Sequence, residues 1–101
     1  MDKTESIIQK EIIDYLKKIG ALVFRMNSGS TKYNVKLAPK GTPDLLTVLC
    51  YPHNKAIWLE VKTEKGDLRD SQISMITELH NRGQEVYVVR SVEDVVKILG
   101  E

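Results

Sequence analysis

Ile57-Trp58-Leu59-Glu60-Val61-Lys62 is the stretch on which the fold turns. It is an apolar run broken at two positions, Glu60 and Lys62, that stand two residues apart. Side chains of a strand alternate between faces, so Glu60 and Lys62 point to one side while Leu59 and Val61 point to the other. A second feature lies upstream: Gly41-Thr42-Pro43-Asp44, a proline turn placing Asp44 at the mouth of the apolar run Leu45 to Cys50. If the two runs pair, two carboxylates and an ammonium converge on one edge of a sheet. That arrangement can hold a divalent cation beside a phosphate.

Downstream, Lys65-Gly66-Asp67 reads as a turn, and a helix starts at Asp70 or Ser71 and runs to about Asn81. Its expected buried face carries Ile73, Ile76 and Leu79, with Gln72 in the first turn on the same side, and Gly83 closes it. Glu85 to Arg90 is a strand centred on Val86, Val88 and Val89. Ile57 to Arg90 is therefore a βαβ unit, with parallel strands and a right-handed crossover. Ser91 caps a last helix, with Asp94 in capping-box position and Val92, Val95, Val96, Ile98 and Leu99 apolar.

Upstream, residues 4 to 19 read as a helix with Thr4 as N-cap and Glu5 in the first turn, where the helix dipole favours an acid. Ile8, Ile12, Tyr15, Leu16 and Ile19 recur at helical spacing, and Gly20 ends the segment. Glu5 falls on this apolar stripe. A carboxylate there needs a partner, unless the helix start leaves it in water. Ala21 to Met26 is a short strand, and Asn27-Ser28-Gly29-Ser30 a turn. Residues 31 to 41 are polar and basic, either a loop or the second arm of a hairpin. Leu45 to Cys50 reads as a strand buried on both faces or nearly so, joined through the 51–55 turn to Ile57–Lys62 as an antiparallel hairpin. The expected order is α-β-β-β-α-β-α, a mixed β-sheet flanked by helices in one α/β domain spanning residues 1–101.

The 101 residues are 42% hydrophobic and 29% charged, which fits a small globular domain and excludes a disordered chain. No apolar run is long enough to span a bilayer, and the first residues lack the apolar core of a signal peptide. The single cysteine, Cys50, fits a reducing cytoplasmic setting and reads as a small apolar residue ending a core strand. His53 and His80 are isolated, with no zinc-type spacing. The formal charge is only +1, but it is unevenly spread: between Asp14 and Asp44 there is no acid, whereas Lys17, Lys18, Arg25, Lys32, Lys36 and Lys40 fall there. A basic segment running into a carboxylate pair suits a polyanion.

Phosphodiester hydrolysis needs a water in line with the leaving oxygen and neutralised charge on the phosphoryl group. A magnesium ion keeps several waters, so Asp44, Glu60 and the main-chain carbonyl of Val61 would suffice to hold it. Lys62 can orient the water or stabilise developing charge. Glu5, if the first helix packs across this edge, can serve a second ion or a water, and the Gln72 amide can brace Lys62 or the water. The bland alternative is a surface ion pair between Glu60 and Lys62.

Pro43-Asp44 followed by Glu60-Val61-Lys62 resembles the PD-(D/E)xK nuclease motif. More narrowly, the chain is similar to a stand-alone VRR-NUC domain. The resemblance runs through Glu5-Ser6-Ile7-Ile8-Gln9, Phe24-Arg25-Met26-Asn27-Ser28-Gly29, Gly41-Thr42-Pro43-Asp44-Leu45, Leu59-Glu60-Val61-Lys62 and the segment from Gln72 to Val86-Tyr87-Val88-Val89-Arg90. It implies a restriction-endonuclease-like core and magnesium- or manganese-dependent cleavage of DNA. The family's metal-binding acids would fall on Asp44 and Glu60, its lysine on Lys62, its helical glutamate on Glu5 and its glutamine on Gln72. Short members, often viral or bacterial, are similar to Holliday-junction resolvases and tend to be homodimers, which makes branched DNA the expected substrate. Two sites related by a two-fold axis suit such a substrate. Arg25, Asn27, Lys32, Lys36, Lys40, Lys65 and Arg69 are the expected nucleic-acid contacts, to backbone and shape rather than sequence. Competing readings are a non-cutting nucleic-acid-binding module on the same fold and a small protein-interaction domain.

Overall fold

Thr4 accepts a hydrogen bond from the Ile7 N–H and opens helix α1, Glu5–Lys18. Its buried face is Ile8, Ile12 and Leu16, with Tyr15 and Ile19 partly covered. Each such side chain contributes roughly 1.5–3 kcal/mol on burial. Gly20 turns the chain at φ +90 into strand β1, Leu22–Arg25. Strands β2, Leu45–Val48, and β3, Ala56–Val61, helix α2, Asp70–Asn81, strand β4, Val86–Val89, and helix α3, Val92–Leu99, follow in that order. The computed structural model describes residues 2–27 and 38–101. The expected alternation around Val35 and Leu37, and most of the Asn27–Ser30 turn, lie outside the described residues.

The sheet runs β1-β2-β3-β4. β1 and β3 are antiparallel to β2, and β4 is parallel to β3, so the hairpin and the βαβ unit both form as the sequence predicts. Register divides the side chains cleanly. Leu45, Thr47, Ile57, Leu59, Val61 and Val89 face α1 and α3 and form the core with Ile12, Leu16, Val95 and Leu99. The opposite face carries Leu22, Phe24, Leu46, Val48, Trp58, Glu60 and Val88, with α2 packed over β4.

Four expectations are corrected. β2 is not buried on both faces: it stops at Val48 and alternates, because α1 and α3 cover only one side of an antiparallel pair. Ile73, Ile76 and Leu79 do not form a buried face, since α2 contains no fully buried residue and Ile73 is 49% exposed. The helix packs mainly against β4, an edge strand, and so gains cover from one side only. Cys50 is exposed beyond the end of β2, where its Sγ donates to the Ile19 carbonyl at 3.4 Å. Finally, Ser91 caps α3, but Asp94 accepts from the Arg90 N–H at 2.8 Å rather than closing a capping box on Ser91.

One glycine sets how closely the loop before β2 approaches helix α2. Gly41 has φ +89, and a Cβ there would lie 2.1 Å from the Ser71 carbonyl oxygen in the first turn of α2. Gly41→Ala is therefore expected to cost about 2–4 kcal/mol, from the positive φ together with a backbone clash. Urea unfolding measures it.

Candidate active site

Close contact between Gly41 and Ser71 brings the loop before β2 against the start of α2. The loop is pinned along its length. Thr42 Oγ1 and the Thr42 N–H both donate to the Pro39 carbonyl, at 2.7 and 3.2 Å. Asn27 Nδ2 donates to the Thr42 carbonyl at 2.6 Å, Pro43 is fully buried, and the Met26 N–H donates to the Asp44 carbonyl at 2.8 Å. Asp44 thus leaves a fixed loop just where β2 begins.

β2 pairs with β3 only as far as Leu45 opposite Leu59. The Val61 N–H, two residues further along β3, has no strand partner on that side, and Asp44 Oδ2 accepts it at 2.8 Å. The Lys62 N–H turns the other way, to the Val89 carbonyl at 3.0 Å. N–H and C=O of one strand residue point to the same side. The Val61 carbonyl is therefore directed toward the side on which Asp44 sits.

Glu60 projects from β3 onto the α2 side and is 1% exposed. Gln72 Nε2, from the first turn of α2, donates to Glu60 Oε1 at 2.8 Å, while Gln72 Oε1 accepts from the Arg69 N–H at 2.8 Å. The second carboxyl oxygen, Oε2, is buried with no hydrogen-bond partner. Burial is the largest cause that pushes the Glu60 carboxyl up to about 8; the adjacent Asp44 carboxylate adds to it by repulsion and by the hydrogen bond a Glu60 proton can make to it, Lys62 opposes it, and Glu5 adds a smaller repulsion. Lys62 is 5% exposed, on the same face as Glu60 by strand alternation. Among the described residues, the ion pairs are exposed ones such as Lys10–Asp14 and Lys55–Glu85, and none joins Glu60 to Lys62.

Asp44, Glu60, Lys62 and Gln72, spread over 29 positions of the chain, thus meet at one end of the sheet on its α2 side. Glu5 is exposed in the first turn of α1 rather than buried on the apolar stripe, although its charge reaches Glu60. Asn27 holds Thr42 and approaches Asp44 Oδ1 at 3.4 Å, so its amide belongs to the loop that carries Asp44. Arg25 lies on the other face of the sheet, beside Leu45, and borders a groove of about 420 Å³ along α1 with Lys10 and Lys17. Lys40 and Arg69 are exposed near the Gly41–Ser71 contact, and Lys65 is exposed in the loop after β3. Lys32 and Lys36 lie outside the described residues. Sequence reasoning missed the anchoring roles of Asn27, Thr42 and the Val61 N–H. The glycine-proline spacing around Thr42 was the available signal for a constrained loop.

The donor set fits a hard divalent cation. Among the described residues, no group of three or more His, Cys, Asp or Glu side chains is arranged to hold a metal. Two carboxylates and a main-chain carbonyl are nonetheless the sparse oxygen set that magnesium accepts, with water completing the shell. The Glu60 Oε2, buried beside Asp44 with no protein donor in reach, is the telling feature. A buried carboxyl crowded by another acid is relieved either by a proton or by a cation.

A mixed sheet between helices, with two carboxylates, a lysine and a glutamine at one end, defines a nuclease-type α/β domain. The VRR-NUC domain family model matches residues 3–93, and the chain belongs to that family. A solved structure described as a VRR_NUC domain is 27% identical, covers 98% of each chain and superposes with a TM-score of 0.74. No curated protein matches the chain. Among the described residues, no helix is long and apolar enough to cross a membrane.

Proposed function

We propose that the protein is a magnesium- or manganese-dependent endodeoxyribonuclease acting on branched DNA as a homodimer. The observation that carries this reading is the buried Glu60, with one oxygen held by Gln72 and the other met by no protein donor beside the Asp44 carboxylate. Asp44, Glu60 and the Val61 carbonyl would hold the cation, and Glu5, whose charge acts on Glu60, would serve a water at its margin. When bound, the cation would neutralise charge on the scissile phosphate and lower the pKa of an attacking water.

This chain's own residues do the rest. The Val61 N–H and Asn27 orient the Asp44 carboxylate. Gln72 fixes the rotation of the Glu60 carboxyl. Lys62, sheltered from solvent, donates to the attacking water or to a nonbridging phosphate oxygen as charge develops. Lys40, Lys65 and Arg69 supply phosphate contacts around the site, Lys32 and Lys36 are proposed to join them from the basic segment, and Arg25, on the other face of the sheet, would meet DNA only beyond the site, along the α1 groove. A two-fold dimer presents two such sites to the two strands of a junction. The exposed Leu22 and Phe24 of β1, the outermost strand among the described residues, offer an apolar surface for the second copy. The single exposed thiol, Cys50, suits a reducing cytoplasm.

Labelled four-way junctions, flaps and duplexes, incubated with magnesium or manganese and with a chelator, test this reading. Junction cleavage that the chelator stops is expected, with Lys62→Met slower by about 10²–10⁴-fold. Binding of all substrates without cutting any of them would instead make the protein a nucleic-acid-binding module.

A further inference from the structure

The first half of the loop between Lys62 and α2 is held by a side chain from elsewhere in the fold. Arg90 follows β4, and its Nη1 donates to the carbonyls of Thr63 at 2.6 Å, Gly66 at 2.7 Å and Glu64 at 3.3 Å. Three carbonyl dipoles converging on one point repel one another unless a cation sits between them. Arg90 is itself anchored, because its N–H donates to Asp94 Oδ2 in the first turn of α3. Immediately before it, the Val89 carbonyl accepts the Lys62 N–H at 3.0 Å. The end of β4 therefore grips both Lys62 and the loop that leaves it.

That loop is the only covalent link between Lys62 and Gln72, and it sets where α2 begins. Gln72 in turn holds Glu60 Oε1. Arg90 borders a cleft of about 690 Å³ beside α1 and α3, whose lining among the described residues includes none of Asp44, Glu60, Lys62 or Gln72. We propose that Arg90 is a positioning residue for the candidate site: by clamping the carbonyls of Thr63, Glu64 and Gly66 it fixes Lys62 and the Gln72–Glu60 pair without touching substrate. Its effect on turnover rests on the nuclease reading, whereas its effect on side-chain geometry does not.

The test compares Arg90→Met, which keeps the apolar stem, and Arg90→Lys, which keeps the charge but not the planar fork, with the wild type. Amide exchange at residues 64–66 and the Gln72 side-chain amide resonance are followed by NMR, together with kcat and KM on the preferred DNA. Arg90→Met is expected to speed exchange in the loop by about tenfold or more and to shift the Gln72 amide resonance. It should lower kcat about 10- to 100-fold, as misplacement of reacting groups does, with KM within about twofold. Arg90→Lys should fall between the two. Variants that unfold at a lower temperature but keep the wild-type Gln72 resonance and kcat would overturn the proposal, leaving Arg90 as a stabilising contact only. If Arg90→Met does not fold, the same readouts on Arg90→Lys decide it. If the wild type cuts no DNA, the nuclease reading fails, and the exchange and Gln72 measurements still decide whether Arg90 sets the site.

Discussion

Asp44→Asn is expected to lower phosphodiester cleavage by about 10³-fold or more while leaving the fold intact. The amide oxygen of Asn can still accept the Val61 N–H that Asp44 Oδ2 holds at 2.8 Å. The Met26 bond is to the main-chain carbonyl of residue 44 and is untouched. What disappears is the negative charge beside Glu60. Two consequences can be read separately. Cleavage in magnesium or manganese should vanish in a gel assay, and the Glu60 carboxyl should move back down toward its ordinary range once its largest charged opponent is gone. An Asp44→Asn protein that cuts at the wild-type rate would remove Asp44 from the chemistry.

Glu60→Gln is expected to inactivate the enzyme and, without metal, to stabilise it. Glu60 is buried beside a like charge, and its carboxyl lies at about 8 against an ordinary value of 4.5. Folding therefore favours the protonated form. The stability this contributes is fully present below the unfolded value and is lost as pH rises through about 8. Metal-free wild type should lose stability between these limits at up to about 1.4 kcal/mol per pH unit. Glu60→Gln should be flat over the same interval, since an amide can accept from Gln72 and donate toward Asp44 without ionising. At pH 8 the variant should melt higher by about 4–8 °C for each kcal/mol of relieved repulsion. Added manganese should reverse the order, because the cation favours the ionised carboxylate that only the wild type has. Thermal melts across pH, with and without the ion, measure all of this.

Much of the architecture was legible because it rests on periodicity. Ile8, Ile12 and Leu16 mark the buried stripe of α1, and the Leu59/Val61 against Glu60/Lys62 alternation assigns the two faces of β3. The same alternation brought Glu60 and Lys62 to one side, and the proline before Asp44 indicated a rigid approach. Periodicity tells which side of an element packs and not how deeply. That is why the stripe Ile73, Ile76, Leu79 reads as core, although α2 sits over the outer strand β4 and leaves Ile73 half exposed. An apolar run such as Leu45 to Cys50 looks doubly buried until its neighbours are known. The details that orient the site were hidden for another reason. That Asp44 takes the Val61 N–H depends on β2 ending just short of it, and that Gly41 must lack a side chain depends on where Ser71 arrives. Both are consequences of tertiary register, and no local pattern encodes them.

Calorimetric titration of the wild type with manganese at pH 7, in buffers of different ionisation enthalpy, tests the central claim that Asp44 and Glu60 share a cation. Glu60 is largely protonated there, so binding should release a proton, and the release should fade as pH passes about 8. Glu60→Gln should bind weakly and release none, and Asp44→Asn should bind weakly. Manganese binding of undiminished affinity in both variants, or binding by the wild type with no proton released, would mean that Asp44 and Glu60 share no cation.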